Sequence, residues 1–258
     1  MTVRELPGTC CNQLEKNTIT FENGNRAIVI TARRDASAQA ILDALQIAPP
    51  RAVILLFGGA VGIDDSGKAH LKTLFCDGII PVAAELGAVI MDRGIESGLV
   101  GMIGDAAARF RGPCQLLGIA PADKVSYSGQ SKADHSAGAL LECNHSHFVL
   151  VEGYEWGSET RKMLELACAF DAPIVAILIN GGAIAAHAVL HSVRKGSQLL
   201  VVEGTGRFAD ELSAAIRDRQ FAKSATVSEI VGSASAVLFR VDGRAEKLRT
   251  DLRRMLCD

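Results

Sequence analysis

A chain of 258 residues with 48% hydrophobic side chains can bury a continuous core without disulfide or metal staples. Twenty-seven basic against 29 acidic residues leave a net charge of −2, and outside the C-terminal segment no basic cluster offers a nucleic-acid footprint. Seven scattered cysteines, from Cys10 and Cys11 to Cys257, contain no CxxC pair, which excludes a disulfide framework and points to a reducing, cytoplasmic compartment.

The first 16 residues lack the apolar stretch of a secretory leader. The longest apolar run, 52–63, is broken by Gly58, Gly59 and Gly62 and is too short to span a bilayer. Further along, short apolar runs recur, each followed by a glycine-bearing loop and a helical period, which is the rhythm of βα units. Strands are predicted at 27–31, 52–57, 88–91, 115–119, 147–151, 174–179, 198–202 and 236–240. Helices are predicted at 36–45, 68–86 with a break at 78–81, 99–110, 158–170, 183–194, 209–219, 227–232 and 245–257. The polar stretch 121–138 has no period and is expected to be a long loop or flap.

The predicted fold class is therefore α/β, Rossmann-like, with a mostly parallel sheet carrying helices on both faces. One domain is expected over 1–258, with an N-terminal βα extension over 1–50, a core over 51–220 and a C-terminal extension over 221–258. The last segment places Leu248, Leu252, Met255 and Leu256 on one helical face, which is expected to pack on the same domain.

Four predicted strand ends carry glycine where a parallel strand meets its helix: Phe57-Gly58-Gly59-Ala60, Asp92-Arg93-Gly94 running on to Gly98, Asn180-Gly181-Gly182-Ala183, and Glu203-Gly204-Thr205-Gly206-Arg207. Glycine lets backbone N–H groups approach an anion, and the following helix N-terminus adds partial positive charge. Arg207 either grips a phosphate bidentately or pairs with Asp210 on the surface. The run Gly62 to Lys68 is one residue short of a P-loop and has Ala69 where a magnesium-binding hydroxyl is needed, so no Walker-type NTPase is expected. His145 and His147 alternate at the start of a strand, point to opposite faces and are expected to be structural; no metal or cofactor is predicted.

The runs Asn144-His145-Ser146-His147-Phe148-Val149-Leu150-Val151 and Val201-Val202-Glu203-Gly204-Thr205-Gly206-Arg207-Phe208-Ala209-Asp210 resemble the N-terminal homology region of melastatin-type TRP channels. Phe57-Gly58-Gly59-Ala60, Gly87-Ala88-Val89-Ile90 and Asn180-Gly181-Gly182 follow in matching order, so the likeness covers roughly residues 51–215. It is to the SLOG superfamily, in its prokaryotic TRPM-like branch.

That resemblance implies a sensor of ADP-ribose or a related phosphate-bearing nucleotide, associated in prokaryotes with membrane-anchored defence effectors, and so with an effector region outside this chain. It carries the ligand arginine onto Arg207 and the adenine-stacking aromatic onto Trp156, with Arg161 or Lys162 as a second phosphate contact. With the glycine turns, the implied ligand-binding set is Gly58, Gly59, Ala60, Gly94, Gly98, Val100, Trp156, Gly157, Arg161, Gly181, Gly182, Glu203, Gly204, Thr205, Gly206 and Arg207. The sequence departs from its branch at Arg93-Gly94-Ile95, where Gly-Gly-Thr is typical; Arg93 either narrows the pocket or binds an extra phosphate. The expected partners are a small nucleotide ligand and further copies of the chain, with no nucleic acid.

Superfamily members that cleave nucleoside monophosphates carry a catalytic glutamate where this chain has Ala188. A sensor is therefore expected; the alternative, an N-glycosidic hydrolase, requires Glu203 or Glu159 as a substitute acid. A scaffold whose glycine loops are only turns is the third class.

Overall fold

A nine-stranded sheet runs through the computed structural model, which describes residues 14–127, 138–153 and 155–257. In chain order its strands are β1 (Glu15–Thr20), β2 (Arg26–Ala32), β3 (Ala52–Gly58), β4 (Ala88–Asp92), β5 (Gln115–Pro121), β8 (His147–Val151), β9 (Ile174–Ile179), β10 (Gln198–Glu203) and β11 (Ala236–Arg240). The short β6 (Val125–Ser126) and β7 (Ala139–Leu140) pair apart from it. The helices are α1 (Ala38–Leu45), α2 (Asp65–Leu74), α3 (Ile80–Leu86), α4 (Gly98–Arg109), α5 (Thr160–Ala169), α6 (Ala183–Arg194), α7 (Arg207–Arg217), α8 (Ala225–Ser233) and α9 (Ala245–Cys257).

Strand order is β1-β2-β8-β5-β4-β3-β9-β10-β11, and every pairing except β1 with β2 is parallel. The strands are legible as unbroken apolar runs because helices bury both faces. In β3, Val53, Leu55 and Phe57 enter one core with α1, α5, α6, α7 and α8, while Ala52, Ile54 and Leu56 enter the other with α2, α3, α4 and α9. Ile54 and Leu55 are fully buried, each contributing about 1.5–3 kcal/mol relative to exposure.

Successive strands step outward from β3 through β4 to β5 on one side, and from β9 through β10 to β11 on the other. The order reverses between β3 and β9, which is where open α/β sheets leave a crevice at their carboxyl ends. At that point Gly58 has φ 134, and a Cβ there would lie 1.8 Å from the Ile179 carbonyl oxygen. Only glycine lets the two strand ends come so close.

Two expectations change. Eight strands were predicted and three more are present among the described residues: β1 forms an antiparallel edge with a mostly exposed sequence, Glu15-Lys16-Asn17-Thr18-Ile19-Thr20, that has no apolar run, and the two-residue β6 and β7 pair outside the main sheet, β6 within the stretch expected to be a loop. The predicted break at 78–81 is instead a π-helical turn, Phe75–Ile79, that joins α2 to α3 without a gap. Gly78 there admits Leu248 of α9, which seats the C-terminal helix on the same domain.

Much of the predicted flap, 128–137, lies outside the described residues, as do Cys10 and Cys11. Among the described residues no helix is long and apolar enough to cross a membrane, and no cluster of three or more His, Cys, Asp or Glu is placed to hold a metal.

Candidate functional site

A crevice of about 680 Å³ opens where the strand order reverses, lined by Gly58, Gly59 and Ala60 after β3, by Arg93, Ile95 and Gly98 to Val100 after β4, and by Gly181 to Ala185 after β9. Arg207, at the head of α7, closes the far wall. The predicted Gly58, Gly59, Ala60, Gly98, Val100, Gly181, Gly182 and Arg207 thus share one cavity.

The helices α4 and α6 both begin here, and neither has a side-chain cap on its N-terminus. First-turn N–H groups have no partner within their helix, so two uncapped ends aimed at one cavity favour an anion. The Arg207 guanidinium lies against Gly182, and among the described residues its head forms no ion pair.

A buried hub holds these loops together. Asn180, 1% exposed and at φ 57, donates from Nδ2 to the carbonyls of Val61 (3.1 Å) and Thr205 (2.6 Å) and accepts the Gly181 N–H on Oδ1 (2.7 Å). Its own N–H reaches Thr205 Oγ1 (2.8 Å), and that hydroxyl donates to the Val202 carbonyl (2.6 Å). One side chain therefore ties the ends of β3, β9 and β10, and asparagine is among the few non-glycine residues at home at positive φ. The predicted ligand contact Thr205 is instead part of this internal tie and is buried.

The fourth glycine turn does not offer its amides to a ligand. The Asp210 carboxylate accepts the N–H groups of Gly204 (2.7 Å) and Gly206 (3.0 Å), so an internal anion occupies the nest that the sequence suggested for a phosphate. Asp210 is thereby engaged with backbone and not with Arg207. Gly204 and Glu203 face a separate cleft with Asp64, His70 and Asp242, where Glu203 pairs with Arg217. The Arg217 guanidinium holds the Glu203 carboxyl below its ordinary range. Glu203, predicted both as contact and as substitute acid, is therefore not in the crevice.

Gly94 is also withdrawn. It is packed between Gly118 and Phe148, its N–H is donated to Asp92 Oδ1 (2.7 Å), and its carbonyl accepts the Glu142 N–H. Asp92 continues into a buried cluster in which His145 lies between Asp92 Oδ1 (3.1 Å) and Glu142 Oε2 (2.7 Å). Burial alone would lower the His145 pKa, but the two carboxylates outweigh it and push it up to about 9. The near-P-loop is a helix start: Asp64 caps α2 by accepting the Gly67 N–H (2.7 Å).

Trp156, Gly157 and Arg161 line a neighbouring cleft of about 900 Å³ with His187 and His191, joined to the crevice at Ile184. Arg161 extends into solvent and pairs with Glu165. The Gly157 N–H is taken by Glu159 Oε2 (2.7 Å). Glu159 is 1% exposed beneath the crevice floor, beside Gly58, Val100 and Ala188. Burial pushes its carboxyl above the ordinary range, partly offset by Gly157 and by Arg93, whose Nε stands 3.3 Å from Oε1. Arg93, expected from the sequence either to narrow the pocket or to bind an extra phosphate, also lies 5.9 Å from the centre of the Trp156 ring. Asn180 carried no sequence signal beyond its nearness to a glycine turn, and Asp210 was considered only as a surface partner of Arg207, not as the acceptor of the Gly204 and Gly206 amides.

A family model described as SLOG in TRPM, prokaryote, matches residues 51–248 of this chain. Among curated proteins, the chain is 26% identical over 200 residues to transient receptor potential cation channel subfamily M member 2 of Mus musculus, covering 64% of this chain and 13% of that protein. It is 27% identical over 235 residues to subfamily M member 1 of Mus musculus, covering 76% of this chain and 14% of that protein. To subfamily M member 7 of Homo sapiens it is 28% identical over 234 residues, covering 76% and 12% respectively. The chain thus spans only about an eighth of the length of these relatives.

Proposed function

Because the chain belongs to the SLOG family of prokaryotic TRPM-like proteins, a family of ligand-sensing domains, we propose that it senses a nucleotide-derived, phosphate-bearing molecule of the ADP-ribose type in the crevice between β3 and β9. The observation that carries this is the convergence of two uncapped helix starts and the exposed Arg207 guanidinium on one cavity at the point of strand reversal. The rim residues Val61 and Ile184 are apolar and exposed, at 74% and 37%, which suits a ligand with a flat hydrophobic base beside its phosphates. In this reading the domain is the cytoplasmic sensor of a signalling or defence effector.

Binding without cleavage is the chemistry these groups support. The position of the hydrolytic glutamate is Ala188, Glu203 is tied to Arg217 outside the crevice, and the Glu159 carboxylate is already engaged by Gly157 and Arg93. Titration calorimetry with ADP-ribose, cyclic ADP-ribose and AMP tests the proposal, with chromatography of the recovered ligand. Saturable heat and intact ligand are expected; no heat from any of the three removes the sensor, and released base replaces it with a hydrolase.

A further inference from the structure

Arg93 and Arg207 stand on walls of the crevice built by different strands, Arg93 directly after β4 and Arg207 after β10. Arg93 is held by more than its own stem. Its Nε faces Glu159 Oε1 at 3.3 Å, and its guanidinium carbon lies 5.9 Å from the Trp156 ring centre. Glu159 is itself fixed, since Oε2 accepts the Gly157 N–H at 2.7 Å.

An arginine offers five N–H donors in a rigid fork, and the contact with Glu159 runs through Nε. The shortest approach to Glu159 is through Nε, no hydrogen bond from the terminal Nη groups is found among the described residues, and the side chain keeps 30% exposure on the crevice wall. A guanidinium held beside a buried carboxylate and an aromatic ring has less rotamer entropy left to lose when its terminal donors meet an anion. Arg207, by contrast, leans on Gly182 without an ionic anchor.

We infer that Arg93 is a second anion contact of the crevice and that the pair Arg93 and Arg207 selects ligands carrying two linked phosphoryl groups over those carrying one. Glu159 is the positioning residue that aims Arg93. The inference rests on the proposed ligand site and narrows it: a diphosphate spans both guanidinium groups, whereas a monophosphate satisfies one.

The test is calorimetric titration of ADP and of AMP into the wild-type chain, Arg93→Ala, Arg207→Ala and the double variant Arg93→Ala/Glu159→Gln. The double variant is included because removing Arg93 alone leaves a buried carboxylate without its cation. Wild type is expected to bind ADP roughly tenfold or more tightly than AMP, the scale of one charge-assisted contact. Arg93→Ala and the double variant are expected to bring that ratio near one with AMP affinity held within about threefold, whereas Arg207→Ala weakens both ligands.

A ratio that Arg93→Ala and the double variant leave unchanged, or equal losses for both ligands, overturns the role of Arg93 while the crevice stands as a ligand site. Failure of wild type to bind either nucleotide overturns the selection for linked phosphoryl groups, while the sensor reading is decided by the ADP-ribose titration.

Discussion

A Cβ on Gly182 would lie 2.6 Å from Arg207 Nη2, so the guanidinium rests directly on the backbone at the head of α6. Arg207 also has φ 51, immediately after Gly206 at φ 89. A non-glycine residue in the left-handed region costs about 1–3 kcal/mol, and here the conformation sets the arginine beside an uncapped helix start.

Replacing Arg207 should therefore separate stability from binding. Arg207→Gly is expected to raise unfolding free energy by about 1 kcal/mol, since glycine relieves the left-handed cost. The same change, like Arg207→Ala, is expected to weaken ADP-ribose binding by about 1.5–3 kcal/mol. Urea titration and calorimetry read the two effects, and unchanged affinity removes Arg207 from the site.

Two glycines of the crevice should respond differently to the same added methyl group. Gly58→Ala drives a Cβ against the Ile179 carbonyl at 1.8 Å, backbone on backbone, and is expected to cost more than about 3 kcal/mol of stability. Gly182→Ala meets only the end of the flexible Arg207 side chain at 2.6 Å. It should leave stability within about 1 kcal/mol while lowering ligand affinity about tenfold by displacing the guanidinium. Denaturation midpoints set beside calorimetric Kd values distinguish the two.

Asn180→Ala removes the side chain that joins Val61, Gly181 and Thr205 and leaves buried backbone groups unpaired. A loss of about 2–4 kcal/mol is expected, measured by urea unfolding. Equal stability of the variant would show that the three loops are held by other contacts.

Stability should fall on both sides of pH 6.5, for two histidines with opposite shifts. His145 is raised to about 9 between Asp92 and Glu142, so its contribution is full below pH 6.5 and is lost as pH rises through about 9. His147 is lowered to about 4, mainly by burial and further by Lys16. Its unfolded form binds a proton first, so stability is lost as pH falls from 6.5 toward 4. Unfolding free energies from pH 4 to 9 test this; His145→Gln should flatten the alkaline limb and His147→Gln should blunt the acid one.

How far the sequence disclosed this molecule follows from what each signal means physically. A run such as Ala52-Val53-Ile54-Leu55-Leu56-Phe57 admits few homes other than a strand buried on both faces, and β3 is that strand. The edge strand β1 escaped because its pairing is backbone to backbone and its side chains are largely exposed. Gly78 and Pro81 suggested a break, yet Gly78 makes room for Leu248 and Pro81 falls in the first turn of α3, where a missing N–H costs little.

The glycine turns looked alike in sequence and do different work. Gly58 permits a close strand contact, Gly94 packs on Gly118, and Gly204 and Gly206 give their amides to Asp210. Which glycine faces a ligand depends on where an acidic side chain six or four residues away folds back, and local pattern does not carry that. Arg207 was legible because it follows such a turn; for Arg93 the sequence left open whether it narrows the pocket or binds a phosphate, because its partners Trp156 and Glu159 come from more than 60 residues downstream.

The chain contains one tryptophan, and it sits 5.9 Å from the guanidinium of Arg93. Its emission on excitation at the red edge of the protein band therefore comes from a single place beside the crevice. The unlabelled protein carries its own optical gauge of that corner, so an occupant that shifts Arg93 is visible as a change in intensity or colour without a dye, a tag or an engineered reporter.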